Sequence, residues 1–261
     1  MNLRWDRLLK PCPDPFKLSS RHGENLWLQH LNELFDRRLM LVDGEPGAFS
    51  RAELQSLLED PLSVSRARAE HASSSCILLL EGCQKVAMVH HRRRKEWFYP
   101  GGHADGNWNW FGGSIKECVE ETGVKDLVAL LRPTDLTQHF VLPTFIVKHF
   151  VSGGPSFESH AHLDFVYLFE TRTQELQFRA SESFDARWFD LQALASEDRS
   201  SASISTDTQR IFERAQQHLL KDLLSPGCFL RQQIPAQYLN SFTDLTVQDG
   251  VASLPAGRAG S

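Results

Sequence analysis

The spacing of apolar positions changes character along the chain. In "ENLWLQHLNELFDRRLMLV", Leu26, Leu28, Leu31, Leu34, Phe35 and Leu39 recur near a 3.6-residue period, which predicts an amphipathic helix. "DGEPGAFS" interrupts it with Gly and Pro. "SRAELQSLLED" restarts a helix, with Ser50 as N-cap, Glu53 as its capping-box partner and Pro61 as the stop. Residues 1–70 therefore read as a helical extension, suited to packing or partner contact.

From residue 76 the runs become short and β-branched. "CILLLEG" and "KVAMVHH" flank a Gly-Cys-Gln turn, a hairpin signal. "HFVLPTFIVKHFV" and "LDFVYLFET" predict two more strands around a "SGGPSFESHAH" loop, and "ARWFDLQAL" a strand turning into a helix. Between the strands lies one short helix, 114–122, with Ser114 as N-cap and Gly123 as the C-terminal stop. Gly112 and Gly113 are read as shortening its first turn. "TDTQRIFERAQQHLLKDLL" predicts a late helix capped by Thr206 or Asp207. The chain from Ala236 is expected to be poorly ordered. The pattern is α/β: a mixed β-sheet between helices, spanning 71–224, with the extension at 1–70 before it and a tail at 225–261 after it.

Charge and cysteines narrow the classes. The net charge is −5 over 261 residues, so the chain is not a protein that coats nucleic acid with positive charge, and no stable nucleic-acid binding is expected. The five cysteines, Cys12, Cys76, Cys83, Cys118 and Cys228, are odd in number and lack Cys-x-x-Cys spacing, which argues for reduced thiols. No apolar run is long enough for a signal peptide or a membrane span, so a cytoplasmic protein without membrane contact is expected.

The chemistry is concentrated in "FYPGGHADGNWNWFGGSIKECVEETGV". On a helix, Glu117, Glu120 and Glu121 fall at i, i+3 and i+4 and share one face. Like charges at that spacing cost a few tenths of a kcal/mol per exposed pair, roughly, so local stability does not favour them. A solvated acidic face is the ordinary reading of such a cluster. An oxygen-rich site for a hard divalent cation is the functional one.

The spacing decides between them. Gly102, five residues, position 108, seven residues and then "KECVEETGV" resembles the Nudix box, Gly-x5-Glu-x7-Arg-Glu-U-x-Glu-Glu-x-Gly-U, where U is aliphatic. Gly102, Glu117, Glu120, Glu121, Gly123 and Val124 match, and Cys118 stands in for the first aliphatic residue. Trp108 replaces the family's first Glu and Lys116 its Arg, a pair that fixes loop against helix in the family. The resemblance implies Mg²⁺- or Mn²⁺-dependent cleavage of a diphosphate linked to another group, in a nucleotide or similar phosphate-containing small molecule. It implies metal ligation by Glu117, Glu120, Glu121 and the Gly102 carbonyl. Glu117 is the first candidate for general base; Glu182 in "ASESF" is the second, since some family members use a glutamate from that later loop. Glu120 is counted with these as catalytic through its metal role.

Further candidates line a substrate pocket. Arg94 in "HHRRRK" would neutralise phosphate, although a solvated basic turn explains it equally well. His103 follows the Gly-Gly turn. His160, His162 and Asp164 alternate along a strand, and His162 and Asp164 are taken as pocket-lining. Trp108, Trp110 and Phe111 are candidates for base stacking, with core packing expected for at least one. The competing function is a non-catalytic Nudix-fold protein that binds a nucleotide and regulates a partner. The retained glutamates favour the enzyme. A homodimer is compatible with the sequence but carries no signature in it.

Overall fold

The computed structural model describes residues 70–82, 84–103, 109–133, 136, 141–151, 160–195, 203–215 and 228–243, with 3, 5, 39–42 and 45–46 before them. The strands are β1 (Leu39–Val42), β2 (Glu45–Pro46), β3 (Glu70–Leu80), β4 (Lys85–His91), β5 (Trp97–Phe98) and β6 (Gly101–His103). Helix α1 (Trp110–Thr122) follows, then β7 (Val128–Leu131), β8 (Phe145–Val151), β9 (His160–Thr171) and β10 (Ser183–Asp190). Helices α2 (Leu191–Ala195) and α3 (Thr206–Ala215), strand β11 (Leu230–Gln233) and helix α4 (Ala236–Thr243) complete the described fold.

The sheet is mixed. Its main path runs β10-β4-β3-β9-β8-β1-β2, with β7 joining β9 and β11 joining β7. β3 and β9 pair in parallel along their whole length, from Glu70 opposite Ala161 to Leu80 opposite Thr171. β4 pairs antiparallel with both β3 and β10. The β3–β4 hairpin turns at Gly82, whose φ of 94° is left-handed backbone that glycine adopts without strain.

Period-2 alternation divides the core into two layers. Cys76 and Leu78 of β3 and Phe165, Tyr167 and Phe169 of β9 pack with Ile115, Cys118 and Val119 of α1 and Leu239 of α4. The intervening Ile77, Leu79, Val166 and Leu168 pack on the opposite face with Leu191 and Leu194 of α2 and Ile211 and Phe212 of α3. Each fully buried Phe or Leu contributes about 1.5–3 kcal/mol relative to exposure. The sheet is thus sandwiched between helices, as the sequence pattern predicts.

Several local expectations change. Leu39 belongs to a strand, β1, parallel to β8, and not to the helix its spacing suggests. The remainder of that predicted helix, and the one capped by Ser50, lie outside the described residues. α1 begins at Trp110, not at Ser114: Asn109 caps it by accepting from the Gly112 N–H at 2.9 Å. Ser114 is buried and donates to the Phe111 carbonyl. The two glycines extend the helix; a Cβ on Gly113 would meet Ser74 Oγ at 2.5 Å, so this residue lets α1 approach β3. α3 is capped by Ser205, whose Oγ accepts the Thr208 N–H. Finally, Ala236–Thr243 is helical, not poorly ordered, because Leu239 is fully buried against the α1 layer.

Candidate active site

Two glycines bring β6 against α1. Gly101 and Gly102 lie opposite Ser75 and Ser74 of β3. A Cβ on Gly101 would stand 2.0 Å from Ser75 Oγ, and one on Gly102 would stand 2.7 Å from the carboxylate carbon of Glu117. The Gly101 N–H donates to Glu121 Oε2 at 2.9 Å. The Pro-Gly-Gly turn therefore touches two of the three helix glutamates; a side chain at Gly102 would displace Glu117, and one at Gly101 would displace Ser75.

Lys116 and Arg179 supply the positive charge. Lys116 Nζ lies 3.4 Å from Glu117 Oε1 and 3.8 Å from Glu120 Oε2. Arg179 Nη1 lies 3.5 Å from Glu120 Oε2 and 3.2 Å from Glu182 Oε1. Lys116, at the position of the family's arginine, thus turns to its own helix; Trp108 lies outside the described residues. Glu182 sits on the turn before β10, where its N–H and that of Ser183 donate to the Arg179 carbonyl and its own carbonyl accepts from Arg92.

Burial and crowding raise the acids. Burial pushes Glu117 up to about 7; Lys116 opposes the shift, while the charges of Glu120 and Glu182 add to it. Glu121 is raised well above the usual carboxylate range, first by burial and then by the charge of Glu117, against the pull of the Gly101 N–H. Glu182 also raises Glu121, so a residue distant in sequence stands within electrostatic reach of the helix face. Among the described residues no three His, Cys, Asp or Glu side chains form a ready-made metal cage. The donor set nevertheless fits a hard divalent ion: all oxygen, mutually repelling, and costly to keep charged without a cation.

The other candidates separate. His103 and His162 come together from β6 and β9, with ring centroids 4.9 Å apart in an edge-to-face arrangement. Strand β9 does begin at His160, so His160, His162 and Asp164 share a face; the side chain of His160 lies outside the described residues. Asp164, however, is 1% exposed, which removes it from a substrate-lining role. Its Oδ1 accepts from Ser73 and Ser75 at 3.0 and 2.8 Å, and its Oδ2 from Tyr99 at 3.0 Å. It ties β3, β9 and the approach to β6 into the scaffold. Arg94 lies in an exposed turn with its guanidinium 5.1 Å from the Phe98 ring centroid. Trp110 stacks on Phe165 at 3.7 Å and Phe111 packs on Tyr167 and Phe169, so both are core residues.

Arg179 escapes a sequence reading. Its spacing of three from Glu182 is the one local signal, and nothing in the chain links it to Glu120.

The family model described as NUDIX domain matches residues 70–207, more than half of the chain. No curated protein matches. Among solved structures, a NUDIX-family hydrolase from Clostridium perfringens is 22% identical, with 56% of this chain and 96% of that chain covered and a TM-score of 0.43. The MutT protein from Methanosarcina mazei is 13% identical, with 58% and 96% covered and a TM-score of 0.40. The NUDIX domain of Shewanella oneidensis NrtR, in complex with ADP ribose, is 17% identical, with 66% and 99% covered and a TM-score of 0.39. With more than half its length matched by the domain model and the motif glutamates gathered on one helix face, the chain belongs to the NUDIX family.

Proposed function

We propose that the protein is a Mg²⁺- or Mn²⁺-dependent hydrolase that cleaves a diphosphate bond in a nucleoside diphosphate linked to another group, or in a similar phosphate-containing small molecule. The observation that carries this reading is the contact of the Gly101–Gly102 turn with Glu121 and Glu117, acids both raised by burial, Glu121 further by the charge of Glu117. Glu117, Glu120 and Glu121, with the Gly102 carbonyl, would hold the metal. When bound, the ion supplies charge neutralisation for the diphosphate and acidifies water.

The chain's own groups then divide the work. Glu117, beside the glycine turn, is the first candidate for the general base that takes the proton of the attacking water. Glu182 is the second candidate for that role, held over the helix face by Arg179. Gly101 fixes the Glu121 carboxylate through its backbone N–H. His103, His162 and Arg94 are proposed to contact the substrate beyond the scissile bond. The hydrolase region is proposed to span 71–224, with β1 before it and β11 and α4 after it completing the sheet and core, and to work in the reducing cytoplasm, where Cys76 and Cys118 remain free thiols.

The test is phosphate or nucleotide release from a panel of nucleoside diphosphate derivatives, with Mg²⁺ and with chelator. Turnover that chelator abolishes is the expected result. No turnover on any member, with thermal stabilisation by a nucleotide, would replace the enzyme with a nucleotide-binding protein.

A further inference from the structure

We infer that Arg179 is a positioning residue that competes with the divalent cation for the acidic face. It holds Glu182 over α1 and must release Glu120 Oε2 when a metal ion takes that oxygen. The inference rests on the metal-dependent reading above and adds the residue that regulates loading of the site.

The argument is geometric. A single guanidinium nitrogen, Nη1, lies 3.5 Å from Glu120 on α1 and 3.2 Å from Glu182 on the turn before β10. It therefore stands between helix and loop carboxylates, where a cation shared by them would stand. The Arg179 side chain is 18% exposed and that of Glu120 only 5%, so solvent screens their attraction less than at an open surface. The backbone around Arg179 is fixed: its carbonyl accepts from the N–H groups of Glu182 and Ser183, and the Gln177 N–H donates to the Thr122 carbonyl at the end of α1. The turn is thus built against the helix by backbone bonds that involve none of the carboxylates.

Lys116 makes the competition specific. It reaches Glu117 and Glu120 from the same helix, so Lys116 and Arg179 both stand against Glu120 Oε2. The acids left without such a bracket are Glu117 toward the glycine turn and Glu121 beneath it. A divalent ion entering beside Glu117 and Glu121 meets no arginine, whereas recruitment of Glu120 through Oε2 requires displacement of Arg179. Once displaced, the guanidinium remains tethered through its turn at the rim of the site, where its planar fork suits a phosphate oxygen.

The test uses the full-length protein with Mn²⁺ alone, by calorimetry and by the paramagnetic signal of free Mn²⁺. Arg179→Gln removes the competing charge and keeps polarity. The expected result is an Mn²⁺ Kd about two- to fivefold lower than wild type, the upper range for releasing an ion pair near the surface, and a larger rise in Tm on adding Mn²⁺. Arg179→Lys restores a cation and should return the Kd toward wild type. An unchanged or higher Kd in Arg179→Gln, in a protein that melts cooperatively, overturns the inference while wild-type Mn²⁺ binding leaves the functional reading standing. If Arg179→Gln fails to fold, Arg179→Met, which keeps the length of the side chain and removes its charge, takes its place, and an Mn²⁺ Kd at least as high as wild type in that variant overturns the inference equally. Absence of Mn²⁺ binding in wild type and in every variant overturns both readings.

Discussion

The Gly101 N–H and Glu121 Oε2 are joined by a 2.9 Å hydrogen bond, which locks the turn ahead of the helix to the acid near the helix end. That carboxylate is buried and held up in pKa by burial and by the charge of Glu117. Glu121→Gln keeps an oxygen for the Gly101 N–H and removes the charge. The expected result is a folded protein whose metal-free Tm is at or above wild type, because a repelling buried charge is gone. Turnover should fall at least about a hundredfold, beyond the usual cost of losing an outer contact to a metal. Circular-dichroism melting and steady-state kinetics check both halves.

Glu117 predicts a pH dependence of the metal-free fold. Its folded pKa, about 7, lies above its ordinary value of 4.5, so the folded state holds the proton more tightly than the unfolded chain. Its stabilising contribution is fully present below pH 4.5 and is lost as pH rises through 7. The loss is on the order of 3 kcal/mol at most, by the free-energy equivalent of the shift. In Glu117→Gln that pH-dependent component should vanish. Denaturant titrations of the metal-free protein between these limits read it directly, and added Mg²⁺ should weaken the dependence by favouring the charged form.

Gly102→Ala tests the close approach. The new Cβ would stand 2.7 Å from Glu117 Oε2, the far end of a flexible side chain, so the carboxylate yields and the backbone does not. The expected protein melts within a few degrees of wild type, roughly, since no buried group is lost. Its turnover should drop about tenfold or more, because the acid is moved from its place. Unchanged turnover would show that Glu117 is not needed where the structure holds it.

Asp164→Ala tests a scaffold role. The variant strips the acceptor from the hydroxyls of Ser73, Ser75 and Tyr99. Leaving them buried and unpaired should cost about 2–4 kcal/mol. At roughly 2–4 °C per kcal/mol, the melting point should fall by several degrees or more. KM at low temperature should remain near wild type, since Asp164 is enclosed by the scaffold. A large rise in KM with an unchanged Tm would return it to the substrate pocket.

The glutamate helix was legible because its signal is local. The spacing of Glu117, Glu120 and Glu121 fixes a shared face on any helix, and Gly123, at φ 68°, ends that helix as its sequence position requires. The start of α1 was not legible in the same way. Ser114 has the chemistry of a cap, yet helix packing on β3 carries the helix back through Gly113 and Gly112 to Asn109. Tertiary contact overrode local preference there. Leu239 shows the same override near the other end of the chain, where burial against α1 orders a segment whose composition suggests a tail.

What the sequence determined by itself was the mixed sheet between helices, the acidic face and the turn that meets it. All follow from periods of two and 3.6 residues and from glycine, properties of neighbours along the chain. What only the tertiary structure decided was which charges meet. The parallel pairing of β3 with β9 buries Asp164 under three hydroxyls, and the turn before β10 carries Arg179 and Glu182 to a helix some sixty residues earlier in the chain. Those encounters depend on strand pairing and on layers packed across the sheet, and no local pattern encodes them.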